Sequence, residues 1–492
     1  MEFQIVTKDK LSENIKLSLL NEYGWENKAV NDAVMHIDSF IKGMLPNLYI
    51  GIEYPYVDKL YRNSYYSYFS SKHLSYSRNS IRISFFKEPI KGNDFFNPRS
   101  FKNLQKNFLG FLVIRPTPYK IIGRNILRPD IFEKNKTHYV ASTKGSAAIS
   151  GLKLEVQGFP HCSQDAEMMV CAETTIWSII EYFSHKYPDY KQVLPNDINK
   201  ILSSTSVERQ IPSRGLTGLQ ISYALKELGF GVKTYSSISY KSSNLSKIIK
   251  IYIESGIPVV ATIKKNKLGH VLNIVGREDI EFAQNFKSVG KLHGGSNLFD
   301  YYDHTGDYLV IDDNLVPYSK ISLDNPVKSY INFPSFKKIW KGAKIDGAIV
   351  PLHPRIYMDA DRVQVFVFQW LKNISVKMTM SHTVVRTLLS SSRSFKNYVA
   401  LNKEFTEDVK TVILNIDMPK FLWLVELSTP SLVSEKLACG MIFIDATEPK
   451  KVNIIGAIIN KISMELNDDN YPIRQYPVSL QPFNIFHNLN SF

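Results

Sequence analysis

The stretch SQDAEMMVCAETTIWSII (163–180) places a cysteine at the start of a predicted amphipathic helix. Apolar residues then recur at the i, i+3, i+4 and i+7 positions of a helix, namely Ile176, Ile179, Ile180 and Phe183. This spacing predicts a helix that begins near Cys171, buries one stripe and ends near His185, before Pro188. Because free N–H groups and the dipole at a helix N-terminus favour an anion, the Cys171 thiol is a candidate nucleophile.

A candidate base and a candidate acid follow the helix. The segment SGIPVVATIKKNKLGHVLNIVGRE (255–278) predicts a turn, a strand, a short hairpin and a second strand, which His270 opens. The segment GDYLVIDDNLVPYS (306–319) predicts another strand that ends at Asp312 and Asp313. A carboxylate there can accept a hydrogen bond from an imidazole and so fix its tautomer. Because successive strand residues face opposite sides, we expect only one of the two aspartates to point at His270.

These motifs, in this order, resemble the C39-like group of papain-like cysteine peptidases. The shared pattern is a glutamine, a cysteine at a helix start, a second helix, G-x-P-V, G-H-V at a strand start, and an aspartate that closes the next strand. The stretch GLTGLQISYALKELGFGVKTY (215–235) is similar to the second helix of that group. The resemblance covers about residues 155–320 and leaves the two flanking parts of the chain without a family.

The resemblance implies a role for each site residue. Cys171 would be the nucleophile, His270 the general base and then the general acid. Asp312 would be the orienting acid in preference to Asp313, because it directly follows the apolar strand. Gln164 would donate its amide to the tetrahedral oxyanion, beside the backbone N–H of Cys171. Gln164 lies seven residues before Cys171, where six is usual in the group, so either the intervening loop bulges or another donor serves.

Residues 277–305 form an insertion between the candidate base and the candidate acid. The insertion contains His293 and His304, with Asp300 and Asp303 nearby, which is a set of possible metal ligands. We interpret these histidines as solvated loop residues, and we expect neither a metal ion nor a cofactor.

The element pattern predicts an α+β fold in three parts. Residues 1–150 would be a basic, aromatic-rich domain, joined by a linker at ASTKGSAAISG (141–151) to a papain-like core at 151–330. In that core the catalytic helix would pack on an antiparallel sheet. Residues 331–492 would form a C-terminal α+β domain, in which VQVFVFQWL, TVVRTLLSSS, FLWLVELS and ACGMIFIDAT are interpreted as strands or short buried elements.

The net charge of +14 is concentrated in one segment. Residues 51–150 contain 17 Lys and Arg against 6 Asp and Glu, a balance of +11. Aromatic residues are interleaved with these charges, as in YRNSYYSYFSSKHLSYSRNS (61–80). Such a segment is either a solvated basic face over an aromatic core or a surface that recruits an acidic protein or nucleic acid.

Composition indicates a cytoplasmic protein. No stretch approaches the roughly 20 apolar residues that span a bilayer. The N-terminal segment lacks the apolar run of a secretory signal. Three cysteines (Cys162, Cys171 and Cys439) are too few for a disulfide framework at this length, so we expect reduced thiols.

Three functions fit these observations. The first is a cysteine peptidase that cleaves a peptide or isopeptide bond through a Cys-His-Asp triad and a thioester. The second is an acyltransferase of transglutaminase type, in which an amine resolves the same thioester. The third is a non-catalytic papain-like module that binds a partner, including nucleic acid through residues 51–150. Val170 and Ala172 stand where the C39-like group has Asp and Gly, and this difference leaves the third function open.

Overall fold

The computed structural model describes residues 2–118, 120–206, 210–212, 215–282, 286–292, 295–332, 334–373, 382–459, 461–466, 469–470 and 472–492. Over these residues the fold mixes helices with sheets whose strand pairs are antiparallel, apart from one parallel pair. The mixed class with antiparallel sheets agrees with the sequence. No helix in the described ranges is both long and apolar enough to cross a lipid bilayer.

Residues 2–161 build the first sheet and the helices that pack on it. The elements are β1 (Glu2–Thr7), α1 (Leu11–Tyr23), α2 (Asn27–Ile41), β2 (Tyr49–Tyr56), α3 (Lys59–Ser67), β3 (Ser80–Phe86), α4 (Phe101–Asn107), β4 (Phe108–Ile114), β5 (Ile122–Leu127), β6 (His138–Val140), β7 (Thr143–Ile149) and β8 (Leu152–His161). The strand order is β1-β2-β3-β4-β5-β8-β7. Strand β6 leaves this sheet and joins the next one.

Residues 171–352 build the central sheet, which carries the candidate base. The elements are α5 (Cys171–Lys186), α6 (Pro195–Ser203), α7 (Gly218–Glu227), β9 (Gly231–Ser236), α8 (Ser242–Glu254), β10 (Val259–Lys265), β11 (Leu268–Glu278), β12 (Ser288–Lys291), β13 (Asn297–Asp300), β14 (Tyr308–Ile311), β15 (Ser319–Ile321), α9 (Pro334–Trp340) and β16 (Lys344–Leu352). The order is β15-β14-β11-β10-β16-β9, so β11, which carries His270, pairs with β14, the strand that ends just before Asp312.

The remaining elements include most of a third sheet and one separate two-stranded sheet. They are α10 (Ala360–Asn373), β17 (Thr383–Ser391), α11 (Ser392–Leu401), α12 (Glu407–Asn415), β18 (Phe421–Ser428), α13 (Pro430–Ser434), β19 (Leu437–Ala438), β20 (Gly440–Asp445), β21 (Ile454–Ile459), β22 (Ile462–Leu466), β23 (Pro472–Pro477), β24 (Phe483–Asn484) and β25 (Asn490–Ser491). The order is β12-β13-β17-β18-β20-β21-β22-β23, and β13 runs parallel to β17. Strand β25 instead pairs with β6, and β6 pairs with β11.

Helix α5 is buried on nearly every side. Its residues are buried without interruption from Ala172 to Phe183, whereas the sequence predicts a single buried stripe. The reason is that β7 and β8 of the first sheet contact this helix in addition to β11, α6 and α7. The first sheet therefore covers the helix that carries the candidate nucleophile.

Two predictions about individual segments are wrong. Most of the segment predicted to be a linker forms β7, which pairs with β8 in a hairpin. The stretch VQVFVFQWL (363–371) lies in helix α10, because its buried residues Val363, Val367 and Leu371 are spaced four apart and share one helix face. The proposed division into three domains stays a prediction.

Four buried charges join the central sheet to the third sheet. Glu254, at the end of α8, accepts hydrogen bonds from Arg277 of β11 and from Arg386 of β17, the latter at 2.6 Å. Arg386 also donates to Glu426 of β18 at 2.6 Å. Each of these side chains is at most 4% exposed. Because removal of one partner would leave a buried charge uncompensated, this cluster holds the two sheets together.

Candidate active site

Cys171 is the first residue of α5, as the sequence predicts, and its side chain is partly exposed. Val170 occupies the N-cap position, and no side chain caps the helix start. The N–H groups of the first turn are therefore not used by a capping side chain, and they point towards the helix N-terminus where the thiol lies.

The loop before Cys171 is built around one buried carboxylate. Asp165 Oδ1 accepts hydrogen bonds from the backbone N–H groups of Glu167 at 3.0 Å, Met168 at 2.8 Å and Met169 at 2.8 Å. Ala166 has a φ of 67°, in the left-handed region that non-glycine residues rarely adopt. The segment between Gln164 and Cys171 therefore contains a left-handed turn at Ala166.

His270 lies between Cys171 and a carboxylate. Its Nε2 donates a hydrogen bond to Asp312 Oδ1 at 3.1 Å, and the Cys171 side chain is close enough to contribute to raising the pKa of the ring. The imidazole is 6% exposed and lies near the rings of Tyr330 and Trp340, at centroid distances of 6.2 and 5.7 Å. The ring is therefore held in one orientation and is largely shielded from solvent.

Charge and hydrogen bonding set the protonation of His270. Burial alone would lower the pKa of His270, but the Asp312 charge, the hydrogen bonds with Asp312 and Cys171, and the Asp313 charge raise this pKa well above its usual value. The imidazole consequently carries both protons near neutral pH.

Asp312 is the better placed of the two aspartates. Its Oδ2 accepts from the Tyr330 hydroxyl at 2.6 Å, and its Oδ1 also accepts from the Asn314 N–H at 2.9 Å. Burial would raise the pKa of Asp312, but the His270 charge and these hydrogen bonds lower it. The pair is therefore an imidazolium and a carboxylate.

Asp313 also approaches the imidazole, with Oδ1 at 3.8 Å from His270 Nε2. The expectation that only one aspartate faces His270 is wrong, because β14 ends at Ile311 and neither aspartate lies in the strand. Burial and the neighbouring Asp312 charge raise the pKa of Asp313, although the His270 charge opposes this shift. The pKa of Asp312 is thus lowered whereas the pKa of Asp313 is raised, and Asp312 makes the shorter contact with His270.

Gln164, the candidate oxyanion donor, is held by the loop that follows the aspartates. Its Nε2 donates to Asn314 Oδ1 at 2.9 Å. A primary amide carries two N–H donors. This hydrogen bond therefore orients the Gln164 side chain with one N–H and leaves the other N–H for the candidate oxyanion role. The backbone oxygen of Gln164 accepts a hydrogen bond from Arg115 Nη2 at 2.9 Å.

The first sheet contributes to the site through the turn between β4 and β5. Arg115 Nη2 donates to the backbone oxygen of Lys120 at 2.8 Å as well as to Gln164. Burial lowers the pKa of Lys120, although the nearby Asp313 and Asp312 charges oppose the shift. Sequence analysis did not assign these two residues to the site, because they lie about fifty residues before Cys171 in a different sheet.

Other basic residues of the 51–150 segment have internal partners. Arg82 pairs with buried Glu53, and Arg124 pairs with buried Asp58 at 2.9 Å. These two arginines therefore lie inside the first sheet, and because their partners Glu53 and Asp58 belong to the same segment, the balance of +11 is unchanged.

Tyr330, Asn314 and Asp165 are further site residues that sequence analysis missed. Tyr330 lies in KSYIN (328–332), a short 3-10 helix, and its contact with Asp312 arises only in the folded chain. Asn314 follows the two aspartates directly, and this run of polar residues after a strand is the sequence signal that could have identified it as a site residue.

His270, Asp312 and Asp313 are close enough to bind a metal ion, since one ligand atom from each lies within 4.8 Å of the others. A metal on Nε2 would replace the proton that His270 donates to Asp312. Of the insertion histidines, His293 lies outside the described residues. His304 is not solvated as expected: its Nδ1 lies 3.0 Å from the Tyr301 oxygen, and burial lowers its pKa to about 3.

The other two cysteines are in unreactive settings. Cys162 is buried, and burial raises the pKa of its thiol to about 12. Burial also raises the pKa of Cys439, to about 11. Neither thiol is poised to ionise near neutral pH.

No protein-family model matches this chain, and a search among curated proteins finds no significantly similar sequence.

Proposed function

We propose that this chain is a cysteine peptidase with a papain-like core, which cleaves a peptide or isopeptide bond in a polypeptide. The observation that carries the proposal is that the His270 imidazole hydrogen-bonds Asp312 and that the Cys171 side chain is close enough to contribute to raising the His270 pKa. A nucleophile, a base and an orienting carboxylate in this order form the arrangement used in nucleophilic acyl transfer. A helix that begins with the cysteine and packs on an antiparallel sheet also agrees with the C39-like resemblance.

In the acylation step, Cys171 Sγ attacks the carbonyl carbon as a thiolate, whose charge is balanced by the His270 imidazolium and the start of α5. The carbonyl oxygen becomes an oxyanion, which the Cys171 N–H and the Gln164 amide would stabilise. The tetrahedral intermediate then expels the amine, to which His270 gives its proton. The C–N bond is broken and a thioester remains on Cys171.

In the second step a nucleophile cleaves the thioester. Neutral His270 accepts a proton from water as the oxygen attacks, and the carboxylic acid product leaves as the Cys171 thiol re-forms. A primary amine can replace water in the same step, and the product is then an amide, as in the acyltransferase alternative. Asp312 keeps Nε2–H oriented and balances the imidazolium throughout.

A peptidyl vinyl sulfone tests the assignment, because it traps a reactive thiolate covalently. We expect the full-length protein to gain one probe, on Cys171, as measured by intact and peptide mass spectrometry. The Cys171→Ser variant should gain none, and His270→Ala should react about 100-fold more slowly. Labelling of Cys162 or Cys439 at the same rate in the native protein would contradict the proposal.

The orienting acid and the acceptor need separate measurements. Peptide-library turnover should fall strongly in Asp312→Asn and remain in Asp313→Asn, and the reverse result would assign the role to Asp313.

Mass spectrometry of the products with and without an added primary amine distinguishes hydrolysis from acyl transfer. Absence of turnover together with an unreactive Cys171 would favour a binding module.

A further inference from the structure

The hairpin turn between β10 and β11 and the end of α9 form one exposed surface at an end of the central sheet. Lys265 pairs with Leu268 across a two-residue turn, and residues 266–269 are all exposed, so the hairpin tip projects into solvent. Lys265 Nζ donates to the Ile339 backbone oxygen at 2.7 Å, which joins the tip to α9. We call residues 264–268 and 337–344 the tip surface.

The tip surface is strongly basic. It contains seven lysines and no acidic residue: Lys264, Lys265, Lys267, Lys337, Lys338, Lys341 and Lys344. Lys265 is partly exposed and uses its charge on the carbonyl oxygens at the end of α9, whereas the other six are exposed. None of these six forms an ion pair with a carboxylate of the residues that the structure describes.

Several of these charges are close neighbours. Lys264 lies directly opposite Lys344 in the pairing of β10 with β16. Lys341 follows Lys337 by one helical turn, since its backbone N–H donates to the Lys337 oxygen. Like charges in either arrangement repel each other and weaken the fold. An anionic partner that covered the tip surface would relieve this repulsion, so its binding is favoured.

The carboxylates nearest to the tip surface have other partners. Asp346, two residues after Lys344, is half-buried, and its Oδ1 accepts from the Ser237 hydroxyl at 3.2 Å. Asp312 and Asp313 are buried beside the His270 imidazole. The positive charge of the tip surface is therefore available to a partner.

Aliphatic side chains are exposed among these lysines. Leu268, next to Lys267, is 49% exposed, and Ile339, next to Lys338, is 45% exposed. The aromatic side chains of α9 are instead half-buried. The tip surface thus presents cations and aliphatic groups together, without an exposed aromatic ring on which a nucleic-acid base could stack.

We propose that the tip surface binds the surface of an anionic lipid membrane, with Leu268 and Ile339 at the boundary between headgroups and acyl chains and the lysines among the headgroups. Basic side chains around exposed apolar ones are the combination that holds proteins on such membranes. A projecting tip contacts a flat surface well, but it has no walls to enclose an extended acidic peptide. Nucleic acid is disfavoured because its phosphates would give the two aliphatic side chains nothing to pack on. The inference is independent of the proposed function.

Vesicle co-sedimentation tests this inference. Full-length protein is mixed with vesicles of phosphatidylcholine alone or of phosphatidylcholine with about 30% phosphatidylserine. We expect at least about tenfold stronger binding to the anionic vesicles, weakening as the salt concentration rises. The tip variant Lys264→Gln/Lys267→Gln/Lys338→Gln/Lys341→Gln should lose about tenfold or more in affinity. Leu268→Ser/Ile339→Ser, which keeps every charge, should lose about fivefold.

The matched control removes four exposed lysines from the part of the chain that builds the first sheet, and it should change the affinity less than about twofold. It is Lys28→Gln/Lys102→Gln/Lys106→Gln/Lys153→Gln. Thermal unfolding followed by circular dichroism shows that each variant is folded. The tip variant should be at least as stable as wild type, because it removes repelling charges.

Three outcomes would overturn this inference. One is an equal loss of affinity in the tip variant and the control variant, which would indicate diffuse attraction. Another is equal binding of the wild-type protein to both kinds of vesicle. The third is tighter binding to a labelled single-stranded oligonucleotide or glutamate-rich peptide than to the anionic vesicles, abolished in the tip variant, which would assign the surface to that partner.

Discussion

At the scale of single residues, the candidate site is an ion pair next to a thiol. The hydrogen bonds that Asp312 accepts from His270, Tyr330 and Asn314 hold the carboxylate charged inside the protein. That charge in turn holds the proton on His270. Reactivity at Cys171 is thus set by groups that come from four separate segments of the chain.

Alkylation rates should distinguish the three cysteines. At about pH 6, we expect iodoacetamide to modify Cys171 at least about tenfold faster than Cys162 or Cys439, because the imidazolium and the helix N-terminus stabilise its thiolate. Burial raises the pKa of the other two thiols to about 12 and about 11. Peptide mass spectrometry over a time course gives the three rates.

The control for this measurement is His270→Ala, which should slow modification of Cys171 and leave Cys439 unchanged. Alkylation of the denatured protein shows that all three thiols are intact. Equal and slow modification of the three cysteines in the native protein would mean that His270 does not activate Cys171.

The stabilisation that Asp312 provides to the folded protein should decrease both at low pH and at high pH. The folded pKa of Asp312 is lowered from 3.8, so its stabilising effect is present above that value and is lost as the pH falls through the folded pKa. The folded pKa of His270 is raised from 6.5, so its effect is complete below 6.5 and is lost as the pH rises through the folded pKa. The destabilisation by Asp312→Asn should therefore be largest between these limits, at about 2 kcal/mol.

Urea unfolding of wild type and Asp312→Asn at a series of pH values measures this difference. Asp417→Asn, at an exposed position, is the matched control and should show little effect at any pH. A pH-independent difference between wild type and Asp312→Asn would mean that the two residues do not form an ion pair.

At the scale of elements, the loop before α5 determines where the thiol lies. Three N–H groups point at Asp165 Oδ1, and the backbone at Ala166 is in a costly conformation. Tyr68 and Lys72, which follow α3, both donate to Glu167 in the same loop. The loop is thus held in place by the Asp165 carboxylate within it and by Tyr68 and Lys72 outside it.

Asp165→Ala should displace Cys171 without removing any group that reacts. Because misplacement of about 1 Å can cost about 100-fold in rate, we expect vinyl sulfone labelling to fall by about tenfold or more. Asp165→Asn keeps the Oδ1 acceptor and should retain most of the rate. If both variants label Cys171 as fast as wild type, the loop does not position the nucleophile.

The sequence predicted the local elements of the site but not their surroundings. The start of α5 and strands β11 and β14 follow from spacing and from flanking glycines, which act within a few residues. Helix α10 was misread because Val and Phe favour strands, although its buried residues have helical spacing. The Tyr330 contact, the Asp165 turn and the cover over α5 join distant segments, and no local pattern encodes them.

At the scale of the whole molecule, the candidate core shares packing and strand pairs with both of its flanks. The first sheet covers α5, the insertion supplies β12 and β13 to the third sheet, and Glu254, Arg277, Arg386 and Glu426 bridge two sheets. Stability and the site therefore depend on all three parts of the chain.

Arg386→Met should test the bridge between the sheets. The substitution leaves Glu426 and part of Glu254 without a countercharge in a buried setting, so we expect a loss of about 3–5 kcal/mol in the free energy of unfolding. Thermal and urea unfolding monitored by circular dichroism give the value. Arg355→Met, at an exposed position, should change it by less than about 0.5 kcal/mol.

A loss in Arg386→Met as small as in the Arg355 variant would mean that the cluster is not a structural bridge. A second unfolding transition that appears only in Arg386→Met would show that the third sheet has become independent of the central sheet.

The pairing of β6 with both β11 and β25 has a consequence for biosynthesis. The ribosome completes Cys171 and His270 long before residues 490–491, which close the edge of the sheet that carries His270. A nascent chain therefore holds both reactive groups while the frame around them is unfinished. A chain shortened by a few residues at this end would therefore have to fold with one edge of β6 unpaired.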